Sequence, residues 1–236
     1  MRPATGRRGA SDESGFTLIE LLVAMMLTGM VMAMAATFFV NVAKATATGR
    51  TTREAMGQTS LAVNAVRNAV TMASDNAVSA TATTPAVNAG TGTSLTITSF
   101  SNTSSTLPVP SMVTFALDSS GFLSETRQMG VVASTGYFAF TGATTSRRVA
   151  GPFILGSGTP FFSYVDSTGA VIPLSGTGLA TADLSKVAFV RVTAKVANRA
   201  VSGSSDPVVT TTSIGLTNTL RNVDASVRLP VLSGGQ

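Results

Sequence analysis

The sequence of 236 residues contains no cysteine, no histidine and no tryptophan, and it has only two tyrosines. Because cysteine is absent, the chain has no disulfide, no thiolate nucleophile and no thiolate metal ligand. Because histidine is absent as well, Ser-His-Asp and Cys-His catalytic groups and His-ligated zinc sites are excluded. The sequence therefore predicts neither a catalytic site nor a bound metal or cofactor, and we expect a protein that is not an enzyme.

Charged residues are also scarce, at 11%, and the formal net charge is +5. The basic residues are dispersed along the chain except for the adjacent pair Arg147 and Arg148, for which a solvated loop is the default interpretation. Nucleic-acid binding requires a concentrated basic patch or aromatic side chains on which bases stack. The sequence shows neither feature, so no specific nucleic-acid binding is indicated.

Apolar sequence, by contrast, is concentrated near the N-terminus, where residues 21–43 carry no charge. About 20 helical residues, at roughly 1.5 Å each, cover the hydrocarbon thickness of a bilayer. Three arginines lie within the first eight residues, before this segment, and a positive bias on that side predicts a cytoplasmic N-terminus. We therefore expect a single-pass protein of the cytoplasmic (inner) membrane whose C-terminal body is exported.

One carboxylate, that of Glu20, lies at the start of this membrane-length helix. A carboxylate that enters lipid alone costs about 2.5–3.5 kcal/mol on insertion scales. The sequence thus predicts that a positive group compensates Glu20.

The segment Gly15-Phe16-Thr17-Leu18-Ile19-Glu20, followed by Leu-Leu-Val-Ala, resembles the class III signal of type IV pilins and of the pseudopilins of type II secretion. The resemblance implies that prepilin peptidase cleaves between Gly15 and Phe16 and methylates the new amine of Phe16. The mature chain would then begin at Phe16.

In that family the glutamate at the position of Glu20 pairs with the N-terminal amine of a neighbouring subunit. Two opposite charges buried together are tolerated, whereas either one alone is not. The resemblance therefore implies that Glu20 is an assembly residue. It also implies four partners: prepilin peptidase, other pilin or pseudopilin subunits bound through the N-terminal helix, the cytoplasmic membrane, and assembly platform proteins. After assembly the filament would lie at the cell surface or in the periplasm.

Two other interpretations of the N-terminus stay open. A secretory signal has the same polarity, and Ala33-Met34-Ala35 could serve as its cleavage site, although the apolar segment exceeds the usual h-region of roughly 7–15 residues. A single-pass anchor for an extracytoplasmic binding domain would keep its N-terminus intact. The position of cleavage separates all three.

The length allows one membrane helix and one globular domain. The predicted organisation is a leader at 1–15, a transmembrane and filament-core helix at 16–43, an amphipathic continuation at 44–73, an Ala/Thr/Ser-rich loop at 74–94, and an exported β-rich domain at 95–236.

The helix is predicted to end near Met72. Its apolar stripe recurs near i, i+3, i+4 spacing at Ala55, Ala62, Val66, Ala69, Val70 and Ala73. Polar positions are expected to face water or neighbouring subunits: Arg50, Arg53, Glu54, Gln58 and Arg67.

The rest of the chain favours a mainly antiparallel β-sheet, so the predicted fold class is α+β with a long N-terminal helix. Strand-like stretches occur at 95–97, 113–117, 137–140, 187–196 and 212–220. Two similar segments carry an Asp followed three residues later by a Gly, at Asp118 and at Asp166, and are predicted hairpin turns. The EF-hand alternative fails because the twelfth positions from these residues are Met129 and Thr177 instead of glutamate.

A further resemblance concerns the body. The segment Phe162-Ser163-Tyr164-Val165-Asp166-Ser167-Thr168-Gly169 and the later Leu220-Arg221-Asn222 are similar to stretches of J-type minor pseudopilins and W-type minor pilins. Many major pilins also carry a disulfide-bounded loop, which this chain cannot form. Together these features imply a minor subunit, with a place in the initiating tip complex of the filament.

Overall fold

The computed structural model describes residues 17–100, 109–134, 137–154, 158–176, 178–196 and 208–216. The chain divides into two compact units, Met1–Ala47 and Thr48–Gln236. One helix, α1 (Leu18–Thr71), begins in the first unit and ends in the second. The predicted helix, with its end near Met72, is therefore confirmed.

In the first unit, α1 exposes apolar side chains around its whole circumference. Three threonines interrupt this surface, and each donates its hydroxyl to the carbonyl four residues earlier: Thr28 at 2.7 Å, Thr37 at 2.8 Å and Thr46 at 2.9 Å. These hydroxyls are satisfied within the helix, so they add little cost in an apolar environment. By length and composition α1 is able to cross a membrane.

In the second unit, α1 packs one face on the β-sheets. The predicted apolar stripe is buried in full, together with Thr59 and Val63. Among the polar positions, Gln58 departs from the prediction: it is only partly exposed, and its Oε1 accepts a hydrogen bond from the Gly151 backbone N–H at 3.1 Å. Gln58 thus binds the body because the strand end at Gly151 leaves an N–H group that needs an acceptor.

The second unit contains thirteen strands in the described residues and one short 3₁₀ helix (Thr181–Lys186). The strands are β1 (Asn76–Ala77), β2 (Thr83–Thr84), β3 (Val87–Gly90), β4 (Ser94–Ser99), β5 (Ser111–Leu117), β6 (Leu123–Met129), β7 (Val131–Ser134), β8 (Tyr137–Ala139), β9 (Thr144–Ala150), β10 (Phe162–Val165), β11 (Val171–Ile172), β12 (Phe189–Val196) and β13 (Val208–Gly215).

Two antiparallel sheets dominate this unit. The five-stranded sheet has the order β3-β4-β5-β6-β9, and the four-stranded sheet has the order β11-β10-β12-β13. Two small hairpins, β1-β2 and β7-β8, complete it. One continuous apolar core joins α1 to both sheets, with fully buried side chains at Val66, Val113, Phe115, Tyr164 and Val190. The α+β class is confirmed.

The stretch 74–94, predicted as a loop, instead contains β1, β2 and β3. Val87 in this stretch is buried in the core. Gly90 lies so close to Tyr164 that a Cβ at position 90 would overlap the tyrosine ring, so a small residue permits the packing. A composition typical of loops therefore also fits a strand that passes close to a large buried side chain.

The two Asp-Gly turns are confirmed. Asp118 accepts hydrogen bonds through Oδ1 from the backbone N–H groups of Ser120 and Phe122, and Asp166 accepts them from Thr168 and Ala170. Gly121 and Gly169 follow with φ of 81° and 89°, the left-handed conformation that glycine adopts without strain.

The strand predictions at 95–97, 113–117, 137–140 and 187–196 coincide with β4, β5, β8 and β12 to within two residues. The stretch 212–220 overlaps β13, while Leu220-Arg221-Asn222 lies outside the described residues.

The interpretation of Arg147 and Arg148 as a loop is wrong, because both residues lie on β9. Strand β9 borders the sheet and exposes both faces along most of its length, so it lacks the apolar alternation that marks a strand.

Candidate assembly site at the N-terminal helix

The start of α1 is fixed by Thr17. The backbone N–H of Glu20 donates to the Thr17 carbonyl at 3.0 Å and to the Thr17 hydroxyl at 3.3 Å. A threonine that accepts from the N–H three residues later is an N-cap, and Thr-x-x-Glu is the signature of a capping box. Sequence analysis predicted the role of Glu20 but did not identify Thr17 as the cap, although this spacing signals it.

Glu20 lies in the first turn of the helix, where the partial positive charge of unpaired N–H groups favours a carboxylate. Its neighbours are apolar and exposed: Leu18 is 81% exposed and Ile19 is 71% exposed. Glu20 is the only charged residue between positions 17 and 43, and the next cation along the helix is Lys44. At about 1.5 Å per residue, Lys44 lies roughly 36 Å away along the axis. A positive partner for Glu20 must therefore come from outside residues 17–43 of its own chain.

The helix surface beyond Glu20 is apolar and adaptable. The methionines Met25, Met30 and Met34 are 70%, 55% and 71% exposed, and Gly29 has no atom within 4 Å of where a Cβ would lie. Small residues let helices approach closely, and methionine fills irregular gaps between them. A helix that is apolar on every side must be covered by lipid or by other helices.

Gly15 and Phe16, the predicted processing residues, lie outside the described residues. Because Phe16 directly precedes the N-cap Thr17, cleavage after Gly15 would create an amine at the entrance to α1. That amine would be four residues before Glu20 in the same chain.

The described residues of the second unit hold a cavity near Gly92 and Lys195 and a cluster of charged side chains on β6 and β9, formed by Glu125, Arg127 and Arg147. Across the described ranges, no three His, Cys, Asp or Glu side chains are placed to hold a metal ion. A cavity of about 370 Å³ lies between Gly92, Pro160, Leu174 and Thr193, with Lys195 as its single ionisable lining residue. This cavity lacks the pair of titratable groups that acid–base chemistry requires.

Two ionisable groups with shifted pKa values in this unit, Tyr164 and Asp166, stabilise the fold. Burial raises the pKa of the Tyr164 hydroxyl, which is hydrogen-bonded to the backbone carbonyls of Thr91 and Ser94. The hydroxyl of Thr168, with help from backbone N–H groups, lowers the pKa of the Asp166 carboxyl. Both residues belong to the Phe-x-Tyr-x-Asp-x-x-Gly segment, whose pattern is thus explained by packing and turn geometry.

Comparison with protein families identifies the prokaryotic N-terminal methylation motif at residues 10–36. The match contains Gly15, Phe16, Glu20 and most of the exposed apolar part of α1. No curated protein matches the chain. The motif supports a type IV pilin-like protein that prepilin peptidase processes and that the N-terminal helix anchors in the inner membrane. Proteins of this class have structural roles, and pilins and pseudopilins share the motif.

Proposed function

We propose that this protein is a minor pilin or pseudopilin, assembled through its N-terminal helix into a type IV pilus-like filament or a secretion pseudopilus. The observation that carries the proposal is the isolation of Glu20: it is the only charged residue between positions 17 and 43, and it lies within the matched methylation motif at residues 10–36. An unpaired carboxylate is costly in an apolar environment, and a cation beside it offsets that cost. The mature N-terminal amine of a neighbouring subunit supplies one.

The proposed sequence of events begins with insertion of the helix of residues 16–43 into the cytoplasmic membrane. Prepilin peptidase removes the leader at 1–15 and methylates the Phe16 amine, and the assembly platform then extracts the subunit. In the filament, apolar helices bundle, and Glu20 sets the axial position of the subunit against a neighbouring Phe16 amine. The amphipathic part of the helix leads from this core to an outward-facing domain, which includes β1, β2 and β3 as well as the strands from β4 onward.

The assignment as a minor subunit rests on features of the chain beyond the N-terminal helix. The chain lacks the cysteines of a disulfide-bounded loop, and its Phe162-to-Gly169 segment resembles that of J-type pseudopilins and W-type pilins. In the structure Phe162 and Tyr164 are buried and Gly169 closes the turn, so the resemblance coincides with positions that the fold requires. We place the subunit in the tip complex that initiates the filament.

The test replaces Glu20 by alanine in cells that contain the assembly machine. We expect Glu20→Ala to be processed by the peptidase but to be incorporated into sheared filaments at least tenfold less than the wild type. Glu20→Gln distinguishes charge from shape, because the amide has almost the same size but no negative charge. We expect Glu20→Gln to be incorporated as poorly as Glu20→Ala. The matched control is Glu54→Ala, which removes an exposed carboxylate of the same helix that forms an ion pair with Arg50 at 3.7 Å. Normal incorporation of both Glu20 variants would refute the pairing of charges.

A further inference from the structure

Strand β9 forms one border of the five-stranded sheet, where it pairs with β6 and with no other described strand. Five consecutive residues of β9, from Thr144 to Arg148, are exposed. The backbone N–H and C=O groups along the outer side of such a strand are available to another extended chain. The border is therefore a surface to which a strand from a partner can be added.

The charges on this border are fixed in place by a buried carboxylate. Glu125 on β6, whose side chain is 7% exposed, accepts hydrogen bonds from Arg147 Nε at 2.9 Å and Nη2 at 2.6 Å. Arg127 Nη2 also donates to Glu125, at 3.4 Å. The bonds from Arg147 use two of the five N–H donors of its guanidinium, and its side chain is 70% exposed. Glu125 thus holds Arg147 in one orientation at the surface.

The next residue, Arg148, presents a second cation on the opposite face. Successive side chains of a strand point to opposite faces of the sheet. The Arg148 guanidinium lies 4.0 Å from the centre of the Phe122 ring. This cation–π contact holds Arg148 against the face of the sheet opposite to that of Arg147. The border therefore shows one arginine on each face, at adjacent positions of the same strand.

The balance of charge at this border is positive. Three arginines lie on β6 and β9, at positions 127, 147 and 148, and Glu125 is the only acidic residue on these two strands. Cations on a border strand repel a second copy of the same strand, which protects the protein from pairing with itself. The same cations attract a strand that carries carboxylates.

We propose that β9 is a docking site for an acidic, extended segment of a partner protein, which adds to the five-stranded sheet as a further strand. In the added strand, the residues opposite Arg147 and Arg148 are adjacent in sequence, so the segment carries two consecutive acidic residues among uncharged residues that favour β-strands. Arg147 is suited to a carboxylate because its planar guanidinium forms paired hydrogen bonds. This inference concerns the second unit alone and is independent of the role of Glu20.

The experiment titrates the purified full chain, in detergent micelles, with fluorescent blocked octapeptides. The probe alternates threonine and valine around a central Glu-Asp; its controls carry Gln-Asn or Lys-Lys at the centre, and one acidic peptide is N-methylated at every residue, so that neither of its edges can donate backbone hydrogen bonds to a strand. Arg148→Gln tests the charge without exposing the buried Glu125. Its matched control is Arg67→Gln, which removes an exposed arginine from α1. The double variant Glu125→Gln with Arg147→Gln tests the second cation without leaving a buried carboxylate unpaired.

We expect the acidic peptide to bind, the three control peptides to bind at least tenfold more weakly, and Arg148→Gln to weaken binding about two- to fivefold. Arg67→Gln should bind as the wild type does. Equal binding of the acidic and N-methylated peptides would overturn strand addition. If no peptide binds and the arginine variants self-associate, the arginines serve only to prevent self-pairing, which also overturns the proposal. Polygalacturonate, an anionic polysaccharide, is titrated in the same way. Binding of polygalacturonate without binding of the acidic peptide would overturn the proposal in favour of an anionic polysaccharide.

Discussion

The hydroxyl of Tyr164 lies 2.8 Å from the carbonyl oxygen of Ser94, to which it donates a hydrogen bond, and its ring fills the space beside Gly90. Tyr164 belongs to the four-stranded sheet, whereas Ser94 and Gly90 belong to the five-stranded sheet. This one side chain therefore ties the two sheets together by a hydrogen bond and by close packing. The contact also explains why a small residue is required at position 90.

Replacement of Gly90 by alanine should destabilise the body, because the added Cβ would overlap the Tyr164 ring and the Leu179 side chain. Overpacking of this kind costs about 1–3 kcal/mol. Urea unfolding followed by circular dichroism measures the change in the free energy of unfolding. The control is Gly57→Ala on α1, where a Cβ meets no atom within 4 Å and alanine favours the helix by roughly 0.5–1 kcal/mol. Equal effects of the two substitutions would show that Gly90 is not packed as described.

The second prediction concerns the stability of variants of the pair formed by Glu125 and Arg147. Arg147→Ala removes the two shorter hydrogen bonds to the buried Glu125 carboxylate and leaves it, among the described residues, the longer contact from Arg127 at 3.4 Å. Loss of one partner of a buried pair costs about 3–5 kcal/mol, and exposure of the Arg147 side chain reduces the expected loss to about 1–2 kcal/mol. The double variant Glu125→Gln with Arg147→Gln should be more stable than Arg147→Ala, since no buried charge remains. A double variant that is less stable than Arg147→Ala would contradict this account.

The Asp166 turn predicts a dependence of stability on pH. Hydrogen bonds from the Thr168 hydroxyl and from backbone N–H groups lower the pKa of Asp166 in the folded protein below its ordinary value of 3.8. Because the folded form holds this proton less tightly than the unfolded form, the stabilisation is present above pH 3.8 and is lost as the pH falls through the folded pKa. Thermal unfolding between pH 3 and pH 6 should show a smaller pH dependence in Asp166→Ala than in the wild type. Parallel curves for the two proteins would exclude the contribution of this turn.

Sequence analysis predicted the elements whose signals are local. The long helix has a continuous apolar and amphipathic pattern, and the Asp-Gly turns have their own chemistry at Asp118 and Asp166. Strand β3 was missed because its packing depends on Tyr164, which is distant in the sequence. Strand β9 was missed because a border strand with both faces exposed has no alternating pattern. These positions are determined by tertiary contacts that no short window of sequence contains.

The assembly site was predicted by two different kinds of argument. The cost of an isolated carboxylate in an apolar helix identified Glu20 from the residues alone. Cleavage between Gly15 and Phe16 came from resemblance, since a glycine followed by a phenylalanine has no intrinsic signal for a peptidase. The capping interaction of Thr17 with Glu20 became evident only in the structure, where the helix begins at Leu18.

The most direct test of the proposed function is the mass and identity of the N-terminal residue of the protein purified from cells with and without active prepilin peptidase. We expect a methylated Phe16 only when the peptidase is active, and an uncleaved chain for Gly15→Ala in the same cells. An intact Met1 in the presence of active peptidase would indicate a membrane-anchored binding domain, and a chain that begins near Ala36 would indicate a secreted one. Either result would contradict the assignment as a filament subunit.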